Sequence, residues 1–166
     1  STIRSALHRI EAPQEFIDFV LNSLMGTTTA VRANKPGHVT PTVEMSKGIR
    51  QGCPLAPLLF VIVMDELHNS LASCEGYKLG KNNSGPTIKS RGYCDDTWII
   101  SSTTNGLRKM NSIVHDFFSR HGLKINETKT KATGRYGTMQ PLTQLFYWPT
   151  TNKAFKTIPP TDPVRY

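Results

Sequence analysis

The amino-acid sequence predicts an α+β fold in which an antiparallel sheet packs on helices. Its 166 residues are 37% hydrophobic and 19% charged, which is typical of one globular domain and excludes a collagen, a coiled coil or a wholly disordered chain. Segments with apolar residues at three- and four-residue spacing alternate with short segments rich in Thr, Val and Ile. The first pattern indicates amphipathic helices and the second indicates β-hairpins.

The first part of the chain predicts a helix followed by a hairpin. Pro13 suits a first helical position, and the residues behind it have helical spacing: Phe16, Ile17, Val20, Leu21 and Leu24. Segments 27–34 and 39–46 are rich in Thr and Val and flank residues 35–38, which contain a Pro-Gly pair. We expect these segments to pair around that turn.

The middle of the chain predicts a loop and then a buried helix. Residues 47–57 are dense in Gly and Pro and read as a loop. Residues 58–71 are apolar on nearly every face, and a helix with this pattern is a buried one. Residues 80–86 predict another loop. Segments 87–91 and 97–101 predict a second hairpin with acidic residues at its tip.

The last readable element is a long helix that begins at Thr103 or Thr104, either of which can cap it. Gly122 suits the position just after its end. Segments 123–125 and 130–133 are short strand candidates. The helix has apolar and aromatic residues at alternating spacings of three and four: Leu107, Met110, Val114, Phe117 and His121.

Positive charge is concentrated in the second half of the chain. Residues 1–76 contain six basic and seven acidic side chains, whereas residues 77–166 contain fourteen basic and five acidic ones, a net charge of +9. This asymmetry favours a polyanionic partner, most often nucleic acid. A basic surface that only keeps the protein solvated would produce the same charge.

The spacing of the cysteines and the length of the apolar segments indicate the cellular compartment of the protein. Cys53, Cys74 and Cys94 are odd in number and lie about twenty residues apart, and none of the five His residues has zinc-ligand spacing. We therefore expect no disulfide framework, no structural zinc and a reducing, intracellular compartment. The longest apolar run, residues 58–64, is far shorter than the ~20 residues of a membrane span. We expect neither a membrane segment nor a signal peptide.

The adjacent carboxylates of Asp95 and Asp96 are the first candidates for chemistry. An Asp pair often does no more than form a turn. Here the apolar residues 98–100 follow directly and predict a turn at the end of a buried sheet, where an uncompensated carboxylate is costly. Mg²⁺ binds a few carboxylates together with substrate phosphates, and two such ions can activate a hydroxyl and stabilise a departing pyrophosphate. An acidic tip beside a basic half is typical of a polymerase or a nuclease.

The second candidate is the loop ahead of the buried helix. Gly48 and Gly52 permit close approach of the backbone, and a helix start offers N–H groups to an anion. Gln51 can hydrogen-bond a base or sugar, and Arg50 can bind a phosphate or a carboxylate. Without further context, such a loop can also simply cap a core helix.

Three blocks in this order resemble blocks of the reverse transcriptases found in non-LTR retrotransposons and group II introns. Residues 48–57 are similar to their Gly-x-x-Gln-Gly-x-x-x-Ser-Pro block, and residues 93–96 (Tyr-Cys-Asp-Asp) resemble their aromatic-x-Asp-Asp turn. Residues 122–126 with Lys129 are similar to the block that follows the turn. Two positions depart from the pattern, since Ala56 replaces the Ser and Cys94 is an unusual central residue of the turn.

The resemblance covers about residues 1–135 and implies a reverse-transcriptase palm with part of the fingers. Residues 136–166 would form the irregular end of the palm, approaching the primer-grip hairpin. The family's first catalytic carboxylate comes from an aromatic-x-x-Asp motif ahead of the helix that residues 1–10 resemble, and no residue of this sequence fills that position. We therefore expect a chain that is truncated at both ends and that polymerises poorly or not at all by itself.

The resemblance implies an RNA-directed DNA polymerase that works by two-metal-ion nucleotidyl transfer. Its cofactor would be Mg²⁺ or Mn²⁺, and its partners an RNA template, a DNA primer and dNTPs. Asp95 and Asp96 would be catalytic residues at the metal site, and Lys129 would lie near the pyrophosphate as a general acid or as an ordinary phosphate contact. The nucleotide and template pocket would be lined by Arg50, Gln51, Gly52, Pro54 and Tyr93.

Other functions remain open at this point. A non-catalytic nucleic-acid-binding remnant would keep the basic surface of residues 77–135 without turnover. An RNA-templated RNA polymerase also uses an Asp-Asp turn, although the Arg-Gln-Gly loop at residues 50–52 fits reverse transcriptases better. An interaction module unrelated to nucleic acid would leave the basic half and the three ordered blocks unexplained. A nuclear location is implied only by the retroelement resemblance, because the sequence has no dense basic cluster.

Overall fold

A computed structural model describes residues 2–32, 39–45, 48–50, 52–80, 82, 84–134 and 156–158. Helices and short strands alternate along these residues, which confirms the predicted α+β class. The helices are α1 (Thr2–Arg9), α2 (Gln14–Leu24), α3 (Ala56–Leu71) and α4 (Thr104–His121). The strands are β1 (Thr28–Thr29), β2 (Val43–Glu44), β3 (Tyr77–Lys78), β4 (Thr87–Ile88), β5 (Ser90–Tyr93), β6 (Asp96–Ile99), β7 (Lys131–Thr133) and β8 (Lys156–Ile158). The chain divides into two compact units, residues 1–66 and 67–166.

The first unit has an apolar core to which three helices contribute. Helix α2 follows Pro13, and its buried residues have the predicted three- and four-residue spacing. Each fully buried aliphatic side chain stabilises a fold by about 1.5–3 kcal/mol, so this cluster is the main source of stability that α1 and α2 share. The buried members are Leu7, Ile17, Val20, Leu21 and Leu59.

An ion pair joins the end of α1 to α3. The Arg9 guanidinium donates a hydrogen bond of 2.7 Å to the carboxylate of Asp65 and one of 3.0 Å to the carbonyl of Ile62. Both ionic side chains are partly exposed to solvent. The pair therefore fixes where the end of α1 meets α3 more than it adds to stability.

Helix α3 is buried on one face only. Leu59, Val63 and Met64 are at most 7% exposed, whereas Leu58 and Val61 are each 51% exposed. The sequence prediction of a helix that is buried all round is therefore wrong. Residues that project from opposite sides of a helix meet different surroundings, and apolar composition alone does not say which side is covered.

The predicted first hairpin is confirmed as β1 and β2, which pair antiparallel. Thr28 lies opposite Glu44, and an isolated bridge joins Arg32 to Val39. The two pairings belong to one antiparallel hairpin, with a shift of one residue in register between the strands and the bridge. The predicted turn at residues 35–38 lies outside the described residues.

The second hairpin is also confirmed, with shifted boundaries. Its strands are β5 and β6, and the segment 87–91 that was predicted as its first strand is divided. Thr87 and Ile88 belong to β4, which pairs antiparallel with β3. The described strands form four separate two-stranded pairs, three antiparallel and one parallel, where the sequence predicted one antiparallel sheet.

Helix α4 has the predicted caps at both ends. The hydroxyl of Thr103 accepts a hydrogen bond of 3.1 Å from the backbone N–H of Gly106, as an N-cap residue should. At the other end Gly122 adopts the left-handed conformation, with φ 65°. The N–H of Leu123 then donates to the carbonyl of Phe118 at 2.8 Å, which completes a Schellman motif.

The last predicted strands differ from the structure in part. Residues 123–125 are not in a strand, because this stretch continues directly from the Schellman motif that ends α4. The candidate at 130–133 is confirmed as β7, which pairs parallel with β8. Apart from β8, the segment 136–166, predicted to be irregular, lies outside the described residues.

Candidate active site

The Asp pair lies at the tip of the hairpin formed by β5 and β6. Tyr93 pairs with Asp96 across the two strands, so the loop between them consists of Cys94 and Asp95 alone. Cys94 has φ 52°, and the tight two-residue turns favoured in hairpins require a positive φ at the first loop residue. The two carboxylates therefore belong to a closed turn with a defined geometry.

The turn projects into solvent. Asp95 and Asp96 are both exposed, the side chain of Tyr93 is 80% exposed and that of Trp98 is 41% exposed. The prediction that this turn emerges from a buried sheet is therefore wrong, and the cost of burying a carboxylate gives no argument for a bound cation. Exposure instead leaves the carboxylate oxygens accessible to an ion or a substrate.

The opposite face of the hairpin packs on the last turn of α3. The ring of His68 lies at hydrogen-bond distance from Ser90, 2.8 Å from Nδ1 to Oγ. A Cβ atom added at Gly92 would lie 2.7 Å from Nε2 of the same ring, closer than real Cβ contacts. Because alternate strand residues point to the same face, one ring contacts both Ser90, which is half-buried, and Gly92, which stays exposed.

The structure thus assigns His68 to the surroundings of the turn, and sequence reasoning missed it. The contact joins residues that lie 22 positions apart, so no local pattern signals it. Gly92 was the signal in the sequence that could have indicated this contact, since Gly within a strand often marks a place where another group approaches closely.

Lys129 lies on a separate turn that Asn126 holds. The side-chain carbonyl of Asn126 accepts hydrogen bonds from the backbone N–H groups of Thr128 and Lys129, both at 3.2 Å, and one of 2.7 Å from the Thr128 hydroxyl. Its backbone carbonyl accepts from Thr130. These bonds form an Asx turn that fixes the backbone at Lys129 and leaves its side chain exposed.

The predicted nucleotide loop is in the first unit. Arg50, Gly52 and Pro54 are all exposed, and Gly52 has φ 88°, a conformation that side chains other than Gly rarely adopt. A hydrogen bond from the N–H of Cys53 to the carbonyl of Arg50 closes a turn here. Gln51 lies outside the described residues. Tyr93, Asp95, Asp96 and Lys129 belong to the second unit.

The donor chemistry of the turn suits a hard divalent cation. Within the described residues, no group of three or more His, Cys, Asp or Glu side chains is arranged to hold a metal ion. Mg²⁺ is nevertheless commonly bound by one or two carboxylates together with waters and substrate phosphates, and Mn²⁺ favours the same oxygen ligands. Asp95 and Asp96 at an exposed tip fit that mode of binding.

The sequence profile of a known family matches nearly the whole chain. The family is described as "Reverse transcriptase (RNA-dependent DNA polymerase)", and the match covers residues 3–165. The chain belongs to this family, and the predicted resemblance to reverse transcriptases of the non-LTR type is confirmed. The family uses divalent metal ions, an RNA template and nucleotide substrates. Among the described residues, no helix has the length and apolar character that a membrane crossing requires.

Several retroelement polyproteins are similar to this chain. It is 32% identical over 137 residues to the Pol polyprotein of the type-2 retrotransposable element R2DM of Drosophila melanogaster, an alignment that covers 82% of this chain and 12% of the relative. It is 31% identical over 130 residues to the Pol polyprotein of a type-1 R2 element of Popillia japonica, which covers 78% of this chain and 18% of the relative. The chain therefore spans less than a fifth of either relative's length.

Proposed function

We propose that this chain is the part of a retroelement RNA-directed DNA polymerase that carries the catalytic turn. In that role it takes part in adding dNTPs to a DNA primer on an RNA template. One observation carries the proposal: in a chain of the reverse transcriptase family, a two-residue hairpin loop holds Asp95 next to Asp96 with both carboxylates exposed. A turn that had only to connect two strands would not require adjacent acidic residues.

The residues around the turn have separate tasks in this proposal. Asp95 and Asp96 hold Mg²⁺ or Mn²⁺, which when bound supplies activation of the primer hydroxyl and stabilisation of the pyrophosphate charge. The exposed ring of Tyr93 offers an aromatic face to the primer end or the incoming nucleotide. Nζ of Lys129 donates a proton to the leaving pyrophosphate. The Asx turn around Asn126 supports that role, because it orders the backbone of an otherwise exposed lysine.

The loop in the first unit binds the nucleotide and the template in the same proposal. Arg50 offers an exposed guanidinium that can form bidentate hydrogen bonds with a phosphate. Gly52 exposes backbone without a side chain, so a sugar or base can approach it closely. Pro54 and Gln51 complete the lining by family resemblance.

We further propose that the 166-residue chain extends primers slowly when tested alone. No carboxylate of the sequence matches the family's upstream aromatic-x-x-Asp motif, and the described residues contain no cluster of three ligands. An ion held by fewer carboxylates has a less defined position. Misplacement of a reacting group by about 1 Å can lower a rate on the order of 10²-fold.

A second candidate function is binding of nucleic acid without turnover. It is favoured by the net charge of +9 in residues 77–166, since Lys and Arg contacts to phosphates supply most non-specific affinity. Several of these side chains are exposed along α4 and beyond it: Arg108, Lys109, Arg120, Lys124, Lys129 and Lys131.

The deciding experiment measures primer extension and Mn²⁺ binding in the same samples. The wild-type chain is compared with Asp95→Asn and with Asp116→Asn, a control that removes an exposed carboxylate from α4. Extension on an RNA template is followed with dNTPs and Mg²⁺ or Mn²⁺, and bound Mn²⁺ is counted by electron paramagnetic resonance. We expect slow extension and Mn²⁺ binding that Asp95→Asn removes and Asp116→Asn preserves.

The other outcomes distinguish the polymerase function from nucleic-acid binding without turnover. Salt-sensitive retention of primer–template, with no extension and with the same Mn²⁺ binding in all three proteins, would favour the binding function. Extension that survives Asp95→Asn would overturn the assignment of the turn.

A further inference from the structure

The face of β5 that carries half-buried Ser90 and exposed Gly92 has the ring of His68 against it. His68 lies in the last turn of α3, and its Nδ1 is 2.8 Å from the Ser90 hydroxyl. Its Nε2 and Cε1 would lie 2.7 and 3.3 Å from a Cβ atom at Gly92. The ring would therefore have to shift if position 92 carried any larger residue.

This contact lies directly beside the catalytic turn. Gly92 pairs with Thr97, and the next pair along the hairpin, Tyr93 with Asp96, closes the two-residue loop. A shift of β5 relative to α3 would therefore move the loop with it, because a two-residue loop has little freedom of its own. The ring of His68 and the hydroxyl of Ser90 together determine the position of β5 along α3.

The choice of residues supports a positioning function rather than simple filling of space. Gly inside a strand is less stable than Ala because it loses more conformational freedom on folding, and an aliphatic residue at position 68 opposite Ala at position 92 would avoid that cost. A hydrogen bond has a preferred direction and distance, whereas apolar contacts tolerate sliding. His68 with Ser90 therefore fixes the register of the hairpin on α3.

We infer that His68 is a positioning residue for the candidate catalytic turn, acting through Ser90 and Gly92 to hold the carboxylates of Asp95 and Asp96 in place. The inference rests on the proposed function, since it assumes that these carboxylates bind the metal ion. It adds a residue outside the three blocks that resemble the family. It requires no contact between His68 and the metal or the substrate.

The test compares Mn²⁺ affinity among variants of the whole chain. His68→Ala should lower the affinity about tenfold, the lower end of the effect of outer partners on metal sites. His68→Asn should retain most of the affinity, because its amide can reach the position of Nδ1 and meet Ser90. His68→Gln places its amide nearer the position of Nε2, so it should behave like His68→Ala. His8→Ala, which removes an exposed histidine from α1, is the matched control.

A second pair of variants tests whether a side chain at position 92 competes with the His68 ring for the same volume. Gly92→Ala should displace the ring and lower Mn²⁺ affinity, and the double variant Gly92→Ala/His68→Ala should have a higher affinity than Gly92→Ala alone. Far-ultraviolet circular dichroism and hydrogen exchange of the β5 and β6 amides establish that each variant is folded. A higher Mn²⁺ affinity in His68→Asn than in His68→Gln is the result that a histidine with only a packing role would not produce.

The outcomes distinguish this inference from the proposed function. Wild-type affinity in folded His68→Ala, or equal affinity in His68→Asn and His68→Gln, overturns the inference while loss of binding in Asp95→Asn upholds the metal site. If Asp95→Asn binds Mn²⁺ like the wild type, the proposed function fails. Should His68→Ala unfold, the comparison of Asn with Gln decides the question alone.

Discussion

The hydroxyl of Thr103 donates a hydrogen bond of 2.8 Å to the carboxylate of Glu75 and accepts one from the N–H of Gly106. One side chain therefore caps α4 and ties its first turn to the segment that follows α3. Ser102 donates to the same carboxylate at 3.2 Å. The close approach at this end also explains Gly106, since a Cβ atom there would collide with the Ser101 hydroxyl.

Removal of the cap should destabilise the second unit. We expect Thr103→Ala to lower the free energy of unfolding by about 1 kcal/mol, because N-cap hydroxyls contribute about 0.5–2 kcal/mol. Thr103→Ser keeps the hydroxyl and should lose much less. Urea unfolding followed by circular dichroism measures both values, and equal losses in the two variants would show that the methyl group rather than the hydroxyl matters.

Substitution of Cys94, the strained residue of the hairpin loop, should raise the free energy of unfolding rather than lower it. Cys94 is exposed and has φ 52°, and the left-handed conformation costs an L-residue about 1–2 kcal/mol. Cys94→Gly should therefore raise the unfolding free energy, by less than that cost because Gly also gains freedom in the unfolded chain. Cys94→Ala removes the thiol but keeps the strain, and a similar gain in this control would contradict the explanation.

The ion pair between Arg9 and Asp65 should have a small, salt-dependent coupling energy. A double-mutant cycle with Arg9→Ala and Asp65→Ala is expected to give about 0.2–1 kcal/mol, as for other partly exposed pairs. The value should fall toward zero in 1 M salt, where the screening length is about 3 Å. A coupling that persists in high salt would rule out an electrostatic origin.

The proposed acid role of Lys129 can be separated from a phosphate contact. Lys129→Arg keeps the positive charge, but a guanidinium gives up its proton far less readily, so single-turnover extension should slow about 10²-fold, at the low end for general acid catalysis. Retention of primer–template should change little. Lys131→Ala removes a nearby exposed lysine as a control. Full extension by Lys129→Arg would leave only the phosphate contact.

His115 should make stability depend on pH. Burial lowers the pKa of His115 below its ordinary 6.5, and the negative charges of Asp116 and Glu127 oppose that effect. The unfolded chain therefore binds a proton near pH 6.5 while the folded chain still resists it. The unfolding free energy should be highest above pH 6.5 and should fall as the pH decreases toward the lowered pKa.

The His115→Gln variant isolates the contribution of His115 to the pH dependence of stability. His115→Gln should flatten the dependence of the urea midpoint on pH within that window, whereas the exposed His8→Gln variant should leave the slope of the wild type. An unchanged slope in His115→Gln would assign the pH dependence to another group.

The sequence predicted those features that short segments determine. Thr103 and Gly122 lie at the two ends of α4, as their backbone preferences indicate, and the acidic pair lies at the tip of a hairpin. The strands of that hairpin extend closer to the tip than the sequence predicted, since Tyr93 pairs with Asp96. The sequence did not predict the pairing of β3 with β4, or which face of α3 is covered, because these depend on elements distant in sequence. The exposure of Asp95 was missed for the same reason, since apolar residues near a turn do not determine what covers it.

The shared volume of His68 and Gly92 has an evolutionary consequence. Two positions that are distant in sequence compete for one space, so a side chain at position 92 requires a smaller or displaced side chain at position 68. Related chains with a side chain at position 92 should carry a smaller residue at position 68, and the two columns of an alignment should covary. The segment just ahead of the Asp-Asp turn would then be constrained by a helix that contributes nothing to the motif itself.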